Sequence, residues 1–101
     1  MKLRWKELRK PPSKAIDSFR QRIAVCVDEY NMGERPDLTP NQIGELMANE
    51  AKKVSRKLWI SSAGLNSEKV KEAHIWLMYG TDNGGKNLGT LVIEKEVGDG
   101  V

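Results

Sequence analysis

A capped amphipathic pattern between Leu38 and Ile60 (LTPNQIGELMANEAKKVSRKLWI) restricts the fold of this chain more than any other stretch. Thr39 supplies an N-cap hydroxyl, and Pro40 stands at the first helical position, where its missing N–H costs nothing. Gln42 completes a capping box with Thr39, and Leu38 and Ile43 take the two places of a hydrophobic staple. Beyond the cap, Ile43, Leu46, Met47, Ala51, Val54 and Leu58 recur at helical spacing and make one apolar stripe. Lys52, Lys53, Arg56 and Lys57 fall largely off it. The spacing predicts a helix over 40–60, buried on one side and cationic on the other. Gly44 costs that helix about 1 kcal/mol against alanine and marks a close approach of another element.

Two further helices are predicted. Over 14–31, Ser13 is the N-cap, and Ile16, Phe19, Ile23, Cys26, Val27 and Tyr30 repeat at three and four before Met32-Gly33 ends the run. The stretch from Ile23 to Val27 also suits a buried strand, but the period continues through Phe19 and Tyr30. Over 67–79, Asn66 or Ser67 caps a segment with Glu68 in its first turn, and Val70, Ala73 and Leu77 face inward, with Met78 a further candidate for that face. The competing reading makes His74–Tyr79 the first arm of a hairpin that turns through Asp82–Asn87. Leu88–Lys95 is the best strand in the chain, and its mate is either His74–Thr81 or the N-terminal decapeptide. In that decapeptide Leu3 and Trp5 alternate with cations until Pro11-Pro12 ends the pattern, so residues 1–12 are a flexible basic arm or an edge strand. Residues 97–101 read as a frayed tail. The expected fold is a single small α+β domain over 1–101: three short helices around one small core, with a C-terminal β-strand or hairpin.

Composition bounds the chemistry. With 101 residues and 39% of them hydrophobic, a small core forms but not a large buried active site. The net charge of +3 is unevenly spread. Residues 1–22 carry eight cations against Glu7 and Asp17, whereas residues 28–50 carry six acids against Arg35. That asymmetry supports either a basic patch or pairing between segments. Cys26 is the single cysteine, so no intramolecular disulfide forms and a reducing compartment is expected. No apolar run approaches the length of a membrane span, and no apolar stretch follows the first cations as in a secretory signal; the expected location is cytoplasmic.

Catalytic and metal chemistry find little support. His74 and Cys26 are the whole imidazole and thiol complement, too few for a zinc site. Asp82-Asn83-Gly84-Gly85 lacks the terminal glutamate of a calcium loop. Ser61 and Ser62 lack the glycine frame of a nucleophile elbow, and His74 has no evident acid partner. Gly84-Gly85-Lys86 precedes a strand rather than the helix a phosphate loop requires. No catalytic residue, metal or cofactor is expected, and the chain reads as a non-enzyme.

Two classes of function remain. One is a small nucleic-acid-binding module that contacts DNA or RNA through the N-terminal arm (Arg4, Trp5, Lys6) and the basic helix face (Lys52, Lys53, Arg56, Lys57). The order of parts, a capped segment, a basic segment and a hairpin, looks like a loose helix-turn-helix with a wing, although no clear turn splits the helix near Met47–Ala51. The other is an assembly protein, self-associating or an accessory or virion component. It would use Trp59, Trp76 and Tyr79, which lie off the apolar stripes, for protein–protein contact.

Overall fold

The computed structural model describes residues 2–7, 9–33, 39–67, 69–80 and 85–95. The chain runs β1 (Lys2–Glu7), α1 (Lys14–Asn31), α2 (Pro40–Val54), β2 (Leu58–Ala63), β3 (Glu72–Tyr79) and β4 (Lys86–Glu94). The strands form one antiparallel sheet in the order β1-β4-β3-β2. The first strand thus lies beside the last, and the two helices carry the chain from one edge of the sheet to the other.

Both helices begin as their caps dictate. The Ser13 hydroxyl accepts from the Ile16 N–H at 3.3 Å. At α2 the Thr39 hydroxyl accepts from the Gln42 N–H at 3.2 Å, and the Gln42 side-chain oxygen accepts from the Thr39 N–H at 2.9 Å, a complete capping box. Leu38, the outer half of the expected staple, lies outside the described residues, as do Glu68, the turn residues Asp82–Gly84 and the tail 97–101. Gly44 sits against Leu65 and Ile75, the close approach its presence implied.

The three-helix expectation is corrected: the described residues hold two helices and a four-stranded sheet. The helix expected over 40–60 stops at Val54, because Ser55 turns extended (φ −159°, ψ 142°) and Leu58-Trp59-Ile60, all β-favouring, enter the sheet. No helix-turn-helix exists there, since a strand follows α2 where a recognition helix would be needed. The segment expected as a third helix is β3 over 72–79. Its Ala73, Ile75 and Leu77 are buried, while His74, Trp76 and Met78 alternate with them at half exposure. Val70, which supported the helical spacing, is exposed. The N-terminal segment takes its strand form as β1, paired along its whole length with β4.

The core lies between the helices and one face of the sheet. Phe19, Ile23 and Val27 of α1 and Ile43, Met47 and Ala51 of α2 meet Leu3, Leu58, Ile75, Leu77, Leu91 and Ile93. Trp5 packs against the same cluster. A Cβ at Gly89 would stand 2.7 Å from Trp5 Cζ2, so glycine makes the room for that ring. Arg20 of α1 is buried and donates to the carbonyls of Leu88 (2.8 Å) and Arg9 (2.6 Å), tying the helix to the start of β4 and to the segment after β1. Asn31 closes the other end of α1, donating to the Leu3 carbonyl at 2.8 Å and accepting from its N–H at 3.0 Å.

Candidate nucleic-acid interface

Strand side chains alternate between faces, so the residues opposite the helices follow from the register. On this open face Arg4, Val92, His74 and Ala63 form one cross-strand row, and Lys6, Thr90, Trp76 and Ser61 form the next. Met78 and Trp59 are paired beyond them, and Lys2, Glu94 and Glu72 lie at the other end. Val92 is 5% exposed yet stands apart from the core cluster, because Arg4 and His74 flank it on the neighbouring strands. Thr90 is shielded in the same way between Lys6 and Trp76.

The aromatic part is held in place. His74 and Trp76, two residues apart on β3, present nearly parallel rings with centroids 5.8 Å apart and planes 11° from coplanar. Trp59 is 40% exposed, and its indole N–H donates to the Gly80 carbonyl at 3.1 Å, which fixes the ring while leaving its surface to solvent. Trp59 and Trp76 are diagonal neighbours across β2 and β3, a relation that brings Cβ atoms within about 7–8 Å. At the entry to β4, Leu88 is the extra residue between Leu77↔Gly89 and Met78↔Asn87. Asn87 steadies that bulge, accepting from the Gly89 N–H and donating to the Thr90 hydroxyl.

Charge divides the face. At one end Glu72 and Glu94 stand among Lys2 and Arg4, with Arg4 Nη2 3.8 Å from Glu72 Oε1. At the other end Lys6 has no carboxylate within ion-pair distance among the described residues, nor do Arg56 and Lys57 in the turn that precedes Trp59.

The sequence-derived residues distribute unevenly over this frame. Arg4 and Lys6 share the open face with Trp59 and Trp76. Trp5 does not; it is on the Leu3 side, over Gly89, with its indole nitrogen buried and without an acceptor among the described residues. Tyr79 likewise packs against the core cluster on the Leu77 side, so the trio Trp59, Trp76 and Tyr79 is split between faces. Lys52 and Lys53 project from the last turn of α2, Lys53 pairing with Glu50 at 3.2 Å, while Arg56 and Lys57 belong to the turn after the helix. They do not form one helical face. Sequence reasoning missed His74 and Met78 as members of this face; the signal was the alternation in EAHIWLMY, legible once that segment is read with a period of two.

Among the described residues no cluster of three or more His, Cys, Asp or Glu is arranged to hold a metal. None of the described helices is long and apolar enough to cross a membrane. No family model, curated protein or solved structure matches the chain.

Proposed function

We propose that this protein is a non-enzymatic nucleic-acid-binding module that lays an unpaired strand across the open face of its sheet. The observation that carries the reading is the gathering on one uncovered face of Trp59 and the His74–Trp76 pair with the cations Arg4 and Lys6. Bases present a π-face whatever their identity, and each base stacked on an aromatic contributes about 1–3 kcal/mol. Arg4 and Lys6 on the β1 flank, with Arg56 and Lys57 beyond Trp59, supply phosphate contacts. Glu72 and Glu94 repel phosphate and direct the strand toward the Lys6 end. Duplex binding by the end of α2 is the weaker form of this reading, because Lys52, Lys53, Arg56 and Lys57 do not align for a groove. Cys26 as the single cysteine suits a reducing, cytoplasmic setting.

The test is fluorescence anisotropy of a labelled single-stranded DNA or RNA oligonucleotide at low salt. Four phosphate contacts imply a loss of about fiftyfold in affinity from about 50 to about 200 mM salt. Trp76→Ala is expected to weaken binding about tenfold or more, and Lys6→Glu comparably, with Trp5→Phe unchanged. Absence of binding at low salt, or equal affinity in wild type and Trp76→Ala, overturns the proposal.

A second reading, self-assembly, has its own support in the exposed β2 edge.

A further inference from the structure

The two edges of the sheet are chemically unlike. β1 (KLRWKE) lines its edge with Lys2, Arg4 and Lys6, the kind of charge that prevents strand addition. β2 (LWISSA) carries no charge at all. Its outward-facing groups follow from one hydrogen bond: the Gly80 N–H donates to the Lys57 carbonyl, which makes 57 and 80 a hydrogen-bonded pair of the β2–β3 ladder. Residues 59, 61 and 63 therefore also bond to β3, and the backbone groups of Ile60 and Ser62 point away from the sheet. No described residue pairs with them.

We propose that β2 is the interface of a two-fold homodimer in which it pairs antiparallel with β2 of a second copy, making one continuous eight-stranded sheet. Two-fold symmetry and the pleat restrict the register. Opposed residues must share a face, and the outward pairs must be Ile60 and Ser62 for all four of their backbone groups per copy to be used. That register sets Ser61 against itself on the axis and Trp59 against the small Ala63, with no like charges opposed. The same operation on β1 would crowd Lys2, Arg4 and Lys6 against their own copies.

The helix layer fits independently. On α2 the residues Ile43, Leu46, Met47 and Glu50 look toward α1, so Asn41, Glu45, Ala48 and Lys52 occupy the side away from it. Ser61 lies about 10 Å along β2 from Leu58, equivalent to about seven residues of the antiparallel helix, which brings the axis past α2 near Ala48. A second α2 crossing there meets a small side chain at the axis and sets Glu45 against Lys52 of the other copy on both sides. The occupant is thus a second copy of this chain, and the inference stands apart from the nucleic-acid reading.

Sedimentation equilibrium without nucleic acid tests it, on wild type, Ser62→Pro, Glu45→Lys and Glu45→Lys with Lys52→Glu. The wild type is expected to dimerise with rising concentration. Ser62→Pro removes one outward N–H from each copy and leaves the β3 ladder intact, and it should weaken the dimer about thirtyfold. Glu45→Lys on the exposed helix surface should weaken it severalfold, and the charge swap should restore it. Each variant's fold is checked by circular dichroism, and the helix variants decide the question if the proline variant does not fold. A wild type that stays monomeric to millimolar concentration, or a dimer indifferent to these substitutions, overturns the proposal.

Discussion

Gly89→Ala separates the two faces of the sheet by experiment. A Cβ at position 89 would lie 2.7 Å from Trp5 Cζ2 and 3.1 Å from Cη2, with the Lys6 carbonyl at 3.3 Å. Carbon atoms rest about 3.5 Å apart, so the ring must retreat about 0.8 Å into a filled core. Overpacking of this kind costs about 1–3 kcal/mol, offset by about 0.5–1 kcal/mol that alanine gains over glycine in a strand. The net destabilisation is about 1.5 kcal/mol, a fall in melting temperature of about 6–10 °C for a domain of this size. Trp5→Leu alone costs about 2 kcal/mol of buried contact. In that background the clash is gone, and Gly89→Ala should become stabilising. A double-mutant cycle by thermal and urea denaturation therefore reads a coupling of about 2 kcal/mol. If Gly89→Ala has the same effect with and without Trp5, the ring does not lie over Gly89, and the assignment of Trp5 to the core side falls with it.

Other substitutions probe the parts that hold the platform. Arg20→Met leaves the buried Leu88 carbonyl without its donor and should cost about 2–4 kcal/mol in urea unfolding, whereas Arg22→Met on the exposed side of α1 should stay within about 0.5 kcal/mol. Thr39→Ala removes the capping box and should lower stability by about 1 kcal/mol, read by thermal melting followed at the helical circular dichroism band. Glu72→Gln takes a carboxylate from the open face at a site whose ion pair with Arg4 is half exposed and 3.8 Å long. Stability should hardly move, while affinity for single-stranded nucleic acid should rise severalfold at low salt.

Local signals in the chain specified local structure. The caps at Ser13 and Thr39 fixed where both helices start, since each is a side chain bonding to a backbone three residues away. The alternation of Leu3 and Trp5 with cations already contained the strand form of β1. What the chain did not display was partnership. EAHIWLMY satisfies two periods at once: with Val70, its Ala73 and Leu77 mark a helix face, and with Ile75 they mark a strand face. Pairing with β2 and β4 on either side decides between them, a tertiary fact that overrides spacing. The same error hid the site. As a helix, the third segment scatters His74, Trp76 and Met78; as a strand, it sets them on one face beside Trp59. The end of α2 was misread for the opposite reason, because Leu58 fits the helical stripe although Ser55 has already left it.

If the face opposite the helices receives an unpaired strand, as proposed, the three tryptophans report on it directly. Their indole N–H resonances can be followed by nuclear magnetic resonance while a short single-stranded oligonucleotide is added at low salt. The Trp59 and Trp76 signals should shift with saturation while that of Trp5, whose indole nitrogen is buried on the core side, stays in place. Shifts confined to Trp5 and the amides of α2, or no shifts at all, would contradict it.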